Sequence, residues 1–372
     1  MAARDGGHLG EAGSFRFNTS HSAFSREKSM KKSRVTLVLA SVAVAAMALT
    51  SCSSSKTDKS TDTGNTSGTT ITVAFVPKLQ AAPYFEAMDT GAKRAAKELG
   101  NIKWLYQGPT TADAAAQADI VRSFIQQKVD VLIVAPNDPD SLAPLLKQAK
   151  DAGIKVATSD TDAPNSVREV FVNQATADGI AKQAIDSLAK AMGEKGEYGI
   201  VSCGETAANL NSWIAAEKAY QAKAYPQMSA VEVGFSGEDQ AANAQMATDF
   251  MNAHPKLTGL IGQCTTSAVG VAQAVRDAGA IAKVFTVGVG TPKSMVPYLA
   301  DGSSSASVLW NVEEFGYLTA WAGLQLGLGK PFAESNDVSK SLSAIKYVSA
   351  DKMLLLGPAM EITKANAGDF NY

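Results

Sequence analysis

From Ile71 onward, short β-branched runs alternate with longer stretches in which apolar side chains recur every three or four positions. A parallel sheet covered by helices produces this pattern. Thr72–Val76 predicts a strand, and Tyr84–Leu99 a helix with Phe85, Met88, Ala92, Ala95 and Leu99 on one face and Gly100 as its stop. A strand at Ile102–Tyr106, a helix through Ile120, Val121, Phe124 and Ile125, and a buried strand at Val131–Val134 follow. Leu142–Ala152, closed by Gly153, then leads to a strand at Lys155–Ser159. The cycle resumes with strands at Tyr198–Ser202, Val231–Phe235, Leu257–Ile261, Val284–Val287 and Ser305–Leu309, separated by helices ending near Met192, Ala224, His254 and Ala278. Two sets of about five strands predict two doubly wound α/β lobes rather than one ten-stranded sheet.

Composition narrows what such lobes do. Of 372 residues, 45% are hydrophobic and 19% charged, which supports real cores and excludes disorder of the whole. With 34 basic against 36 acidic residues, there is no electrostatic case for gripping nucleic acid. Of three histidines, His8 and His21 precede the apolar run near the N-terminus and leave His254 alone, and there are only three cysteines; these counts argue against a His-based triad, a histidine zinc site or a disulfide scaffold, and no metal or cofactor is expected.

Upstream of the repeating pattern, Lys31, Lys32 and Arg34 precede the uncharged run Val35–Leu49. At 15 residues, this run is shorter than the roughly 20 a membrane helix needs and suits an export signal. Leu49-Thr50-Ser51-Cys52 resembles the bacterial lipobox, so residues 30–51 are expected to be a lipoprotein signal peptide and Cys52 the lipidated residue. Residues 1–29 are an extension ahead of the expected start at Met30. Residues 52–70 are polar and small, a flexible tether reaching roughly 20 to 25 Å. The expected location is extracytoplasmic, anchored by lipid to the cell membrane.

In doubly wound folds, ligands bind beyond the carboxyl ends of the strands, so the residues there are the candidates for function. They are Lys78, Tyr84 and Phe85; Asp160-Thr161-Asp162; Asn173-Gln174; the stretch Cys203–Asn211 with Trp213; Gln263-Cys264-Thr265; Gly288–Thr291; and Trp310-Asn311. Carboxylates and amides bond vicinal hydroxyls directionally, and aromatic rings offer flat faces to the C–H side of a sugar. The mixture suits a neutral polyol. Cys203 and Cys264 end the first and third strands of the second lobe, neighbours in doubly wound order, which leaves both a disulfide and two free thiols open.

Val73-Ala74-Phe75-Val76-Pro77-Lys78, the helix end Lys97-Glu98-Leu99-Gly100, Tyr106–Thr110, Asp160-Thr161-Asp162, Val172-Asn173-Gln174, Thr291-Pro292 and Leu309-Trp310-Asn311 together resemble the type I periplasmic sugar-binding proteins of ABC importers. The resemblance is to the branch holding ribose-, rhamnose- and autoinducer-2-binding proteins. It implies two lobes, 71–173 with 310–345 and 174–309 with 346–372, joined by a three-stranded hinge. The resemblance further implies a monomeric binder, not an enzyme, that hands a small sugar to an ABC permease. The implied ligand-binding residues are Lys78, Tyr84, Asp160 and Asp162 from the first lobe, Asn209, Gln263 and Thr265 from the second, and Gln174, Trp310 and Asn311 from the hinge. The chain departs from the autoinducer-2 pattern at Asn209-Leu210, Gln263-Cys264-Thr265 and Trp310-Asn311, so a rhamnose-like deoxyhexose or another neutral monosaccharide is expected ahead of autoinducer-2.

Other classes find little support. No Walker A pattern occurs, and Gly288-Val289-Gly290 lacks the third glycine and the place after a first strand of a dinucleotide fingerprint. A repressor of the same lobe fold would carry a DNA-binding helix pair where this chain has an export signal. A ligand-sensing lipoprotein serving a membrane receptor would share every residue named above.

Overall fold

A computed structural model describes residues 69–372; the expected signal, Cys52 and most of the tether lie outside the described residues. In chain order the elements are β1 (Ile71–Val76), α1 (Pro83–Leu99), β2 (Ile102–Tyr106), α2 (Ala114–Gln127), β3 (Val131–Val134), α3 (Pro139–Asp151), β4 (Lys155–Ser159) and β5 (Val170–Asn173). Next come α4 (Ala177–Met192), β6 (Gly196–Ser202), α5 (Ala208–Ala224), β7 (Met228–Phe235), α6 (Gln240–Ala253), β8 (Leu257–Gly262), α7 (Thr265–Asp277) and β9 (Phe285–Gly288). The chain ends with α8 (Pro292–Asp301), β10 (Ala306–Leu309), α9 (Val312–Gly327), β11 (Ser335–Asn336), β12 (Ile345–Val348), β13 (Met353–Leu355) and β14 (Met360–Ile362). Among the described residues no helix is long and apolar enough to cross a membrane.

The strands form two sheets, ordered β11-β12-β13-β5-β4-β3-β1-β2 and β14-β10-β9-β8-β6-β7. β1 to β5 pair in parallel, as do β6 to β10. Every residue of β3 is buried, as a strand covered by helices on both faces demands. The helices start where side chains accept orphan amides: Asp113 from Ala116, Asp138 from Ser141 and Asp239 from Ala242. Gly100 ends α1 at φ 76°, a conformation that costs glycine little.

The chain crosses between the sheets after β5, after β10 and after β13. The last crossing differs from the expected boundary at residue 346. β12 and β13 continue the first sheet, with Met353 opposite Phe171 and Leu355 opposite Asn173, so only the segment from β14 onward joins the second. The third crossing runs beside the first, Leu356 N donating to Asn173 O at 2.9 Å and Gly357 N to Gln174 O. Tyr372 supports the second crossing, its hydroxyl accepting from Val312 N at 3.1 Å and donating to Trp310 O at 3.3 Å.

After the second crossing, α9 returns to the first sheet, where it packs on β1, β3 and α1. It is buried on nearly every side, which is why no helical stripe marks it in the sequence. Two glycines set its approach to α1. A methyl group on Gly91 would overlap the Glu313 carbonyl, and one on Gly316 the Met88 carbonyl. An Arg94–Glu314 ion pair at 2.7 Å fastens the same crossing.

Cys203 and Cys264 are joined by a disulfide, with Cα atoms 6.2 Å apart, within the range such bonds need. Of the two outcomes the sequence left open, free thiols are the one the structure sets aside. Closing a loop across 61 positions stabilises the fold by about 4 kcal/mol in the chain-entropy model. The double variant Cys203→Ser/Cys264→Ser should therefore melt on the order of 5 to 10 °C below the parent. Equal melting curves would show that the bond contributes nothing.

Candidate functional site

Carboxyl-end loops of both sheets converge on one slot between the lobes. Pro77-Lys78 follows β1, Asp160 follows β4, Glu238 lies after β7, Gln263 follows β8, Val289 follows β9 and Trp310 follows β10. The slot is narrow, with about 40 Å³ free to the centres of water-sized molecules.

One wall is aromatic. Phe85 and Tyr84 meet edge to face at 5.1 Å, Tyr84 and Trp310 at 5.9 Å, and Trp310 and Trp213 at 5.9 Å. This chain of rings runs from α1 in the first lobe, across the hinge residue Trp310, to α5 in the second. Trp310 Nε1 donates to the Tyr84 hydroxyl at 3.1 Å, which fixes both rings.

The other wall is polar. Asp160 occupies the left-handed region at φ 67°, a conformation Asp tolerates better than most side chains. Its carboxylate accepts from Thr161 Oγ1 at 3.0 Å and Asn209 Nδ2 at 3.4 Å, and lies 3.8 Å from Lys78 Nζ. Lys78 Nζ donates to Asn209 Oδ1 at 2.9 Å, so a cation, a carboxylate and a carboxamide join the two lobes. Thr206 Oγ1 makes a further bridge at the rim, donating to Asn137 O at 3.1 Å. Burial, reinforced by the Asp160 carboxylate, pushes the Tyr84 hydroxyl well above its ordinary range, so Tyr84 is a neutral donor at any physiological pH. Glu238 is also raised, by burial and against the pull of Lys78.

Of the residues expected in the site, Lys78, Tyr84, Asp160, Asn209, Gln263, Thr265 and Trp310 line the slot. Three do not. Asp162 turns to Arg168 and accepts from its Nη2 at 2.7 Å, from Thr158 Oγ1 at 2.7 Å and from Ala163 N at 2.8 Å, so its acceptors are committed to the loop. Asn311 caps α9, accepting from Glu314 N at 3.0 Å. Gln174 is buried in the hinge, where its backbone carbonyl takes the third crossing.

Sequence reasoning missed Glu238, although the rule that found the others applies to it, since it lies just past the carboxyl end of β7. Trp213, which stands outside the ligand-binding set implied by the resemblance, is almost fully buried and also part of the slot wall. Cys203, Glu238 and Cys264 bring their ligand atoms within 4.8 Å of one another, but sulfurs joined to each other are not thiolates, so this group offers no metal donor set.

The model of the periplasmic binding protein domain matches residues 73–331, which takes in β2 to β10, most of β1 and every residue of the slot. The chain belongs to the periplasmic binding protein family. Among curated relatives of this binding protein, the D-ribose/D-allose-binding protein of Pseudomonas aeruginosa is 30% identical over 264 residues, covering 69% of this chain and 81% of the relative. Among solved structures, an ABC transporter solute-binding protein from Clostridium phytofermentas with bound L-rhamnose superposes with a TM-score of 0.76 at 28% identity, covering 81% of this binding protein and 98% of the other chain. A Clostridium saccharobutylicum protein in complex with AI-2 has the same TM-score at 24% identity, covers 81% of this chain and all of its own, and attests the fold alone.

Proposed function

We propose that the slot captures one neutral monosaccharide between the closing lobes and that the protein delivers it to an ABC permease from outside the cytoplasm, held to the membrane by lipid on Cys52. The observation that carries this reading is the pairing of two walls. The rings of Phe85, Tyr84, Trp310 and Trp213 face a polar set of Lys78, Asp160, Asn209, Glu238 and Gln263 at the junction of the lobes. A pyranose has the matching surface, C–H groups on its faces and hydroxyls on its rim, each hydroxyl both donor and acceptor.

Among the described residues, the single cation in the slot is paired with Asp160, and Glu238 adds a second carboxyl group, so the slot does not favour an anionic ligand. Ligand touching both lobes stabilises their closed arrangement, and that arrangement is what the permease would read. The ribose, allose and rhamnose named for the relatives support a ligand among aldopentoses, aldohexoses and 6-deoxyhexoses. A thermal-shift screen of L-rhamnose, D-ribose, D-allose, D-arabinose and AI-2 tests the reading. One neutral monosaccharide should raise the melting temperature in proportion to the logarithm of its concentration. A shift with AI-2 alone would replace the sugar, and no shift with any of them would contradict the proposal.

A further inference from the structure

Gln263 lines the second lobe's side of the slot with no surface left exposed. Glu217 of α5, one helical turn beyond Trp213, meets it there and is also fully buried. The two touch through Gln263 Nε2 and Glu217 Oε2. Among the described residues, the remaining oxygen of each, Gln263 Oε1 and Glu217 Oε1, has no hydrogen-bond partner. Among those residues, too, no Lys, Arg or His forms an ion pair with Glu217.

Among the described residues, the surroundings offer Glu217 no other charge to lean on. Tyr198 of β6 is the titratable group that feels it, and the Tyr198 hydroxyl is directed to Gln221 at 3.5 Å. On α4, which packs against α5, Lys182 and Asp186 bond to each other, and Asp186 also takes the hydroxyls of Tyr220 and Tyr225. Lys78, Asp160 and Glu238 stand with Gln263 around the slot. An isolated carboxylate is costly to bury, and burial pushes the Glu217 acid up to about 8, with the Gln263 amide pulling the other way.

A carboxylate and a carboxylic acid ask opposite things of a carboxamide. Ionised Glu217 only accepts, so it holds Nε2 and leaves Gln263 Oε1 free. Neutral Glu217 donates its O–H to Oε1 once the carboxamide turns over, which frees Nε2. We propose that Glu217 is a positioning residue whose proton decides whether Gln263 offers the slot a donor or an acceptor. The proposal rests on reading the slot as a sugar site. Asp160 and Glu238 already supply acceptors there, so a hydroxyl that donates to one of them has its own oxygen left to satisfy, and a free Gln263 N–H does so. Binding is therefore tighter with neutral Glu217.

The test follows the Gln263 side-chain amide by NMR from about pH 6 to about pH 9.5 in sugar-free protein, alongside calorimetry with L-rhamnose, D-ribose, D-allose and D-arabinose over the same range. The amide signal, assigned by its loss in Gln263→Leu, should move with one midpoint near 8 in the parent and stay fixed in the isosteric Glu217→Gln. Affinity for whichever sugar binds should fall about fivefold across the range in the parent, and stay within about twofold in Glu217→Gln. A parental amide signal that never titrates, or an affinity profile in Glu217→Gln that follows the parent, overturns the proposal. A titrating amide in protein that binds none of L-rhamnose, D-ribose, D-allose and D-arabinose keeps the Glu217–Gln263 coupling and overturns the sugar reading instead.

Discussion

Replacing Asp160 by asparagine should weaken sugar binding by about thirtyfold or more while the fold persists. Asparagine keeps the volume and tolerates the left-handed backbone at φ 67° that alanine would strain. The loss comes from charge. Asp160 accepts from Thr161 and Asn209, lies beside Lys78 and faces the Tyr84 hydroxyl, all in a slot with almost no exposed surface. Hydrogen bonds to a charged group contribute about 1.5 to 3 kcal/mol, and removing one member of a buried pair costs about 2 to 5 kcal/mol because the other charge is stranded. Lys78 would be that stranded charge.

The neighbouring Asp162→Asn change is the control. Its carboxylate is spent on Arg168, Thr158 and Ala163 outside the slot, so it should lower the melting temperature and leave affinity within about twofold. Calorimetry on both variants checks the pair. Equal affinity losses would mean that the slot is not where the ligand sits.

The second large effect is expected far from any polar group. Gly316→Val should cost about 3 kcal/mol or more, because no rotamer of valine avoids the Met88 carbonyl against which Gly316 is pressed. Thermal melts should fall on the order of 5 °C or more. The change should also reduce affinity, since Tyr84 lies in the first turn of α1 and Trp310 stands two residues before α9, so prising the two helices apart separates the hydrogen-bonded rings of the slot wall. A melt within about 1 °C of the parent would show that α1 and α9 do not approach as described.

Both predictions depend on features of unequal visibility in the sequence. The strands of β1 to β4 and β6 to β10 are short, β-branched and bounded by turns, so pattern alone locates them, and the strand-end rule then leads to Lys78, Asp160, Gln263 and Trp310. α9 escapes that pattern. Its residues are buried all round, so there is no polar face against which a stripe could show. β13 is three residues long, and only its register with β5 assigns it to the first sheet and moves the last crossing past Leu355.

Within the site, sequence proximity to a strand end proved weaker than side-chain direction. Asp160 and Asp162 are two residues apart, yet one faces the slot and the other is tied to Arg168. Asn311 follows Trp310 directly and is spent on capping a helix. The Glu217–Gln263 contact joins residues 46 positions apart, and no local motif announces it.

The most direct test of a two-lobed clamp on an uncharged sugar is calorimetric titration of the protein with L-rhamnose, D-ribose, D-allose and D-arabinose at neutral pH. The account predicts saturable heat from at least one of them with one site per chain, the sugar recovered unchanged afterward. Absence of saturable heat from all four, or conversion of the sugar during the titration, would contradict it.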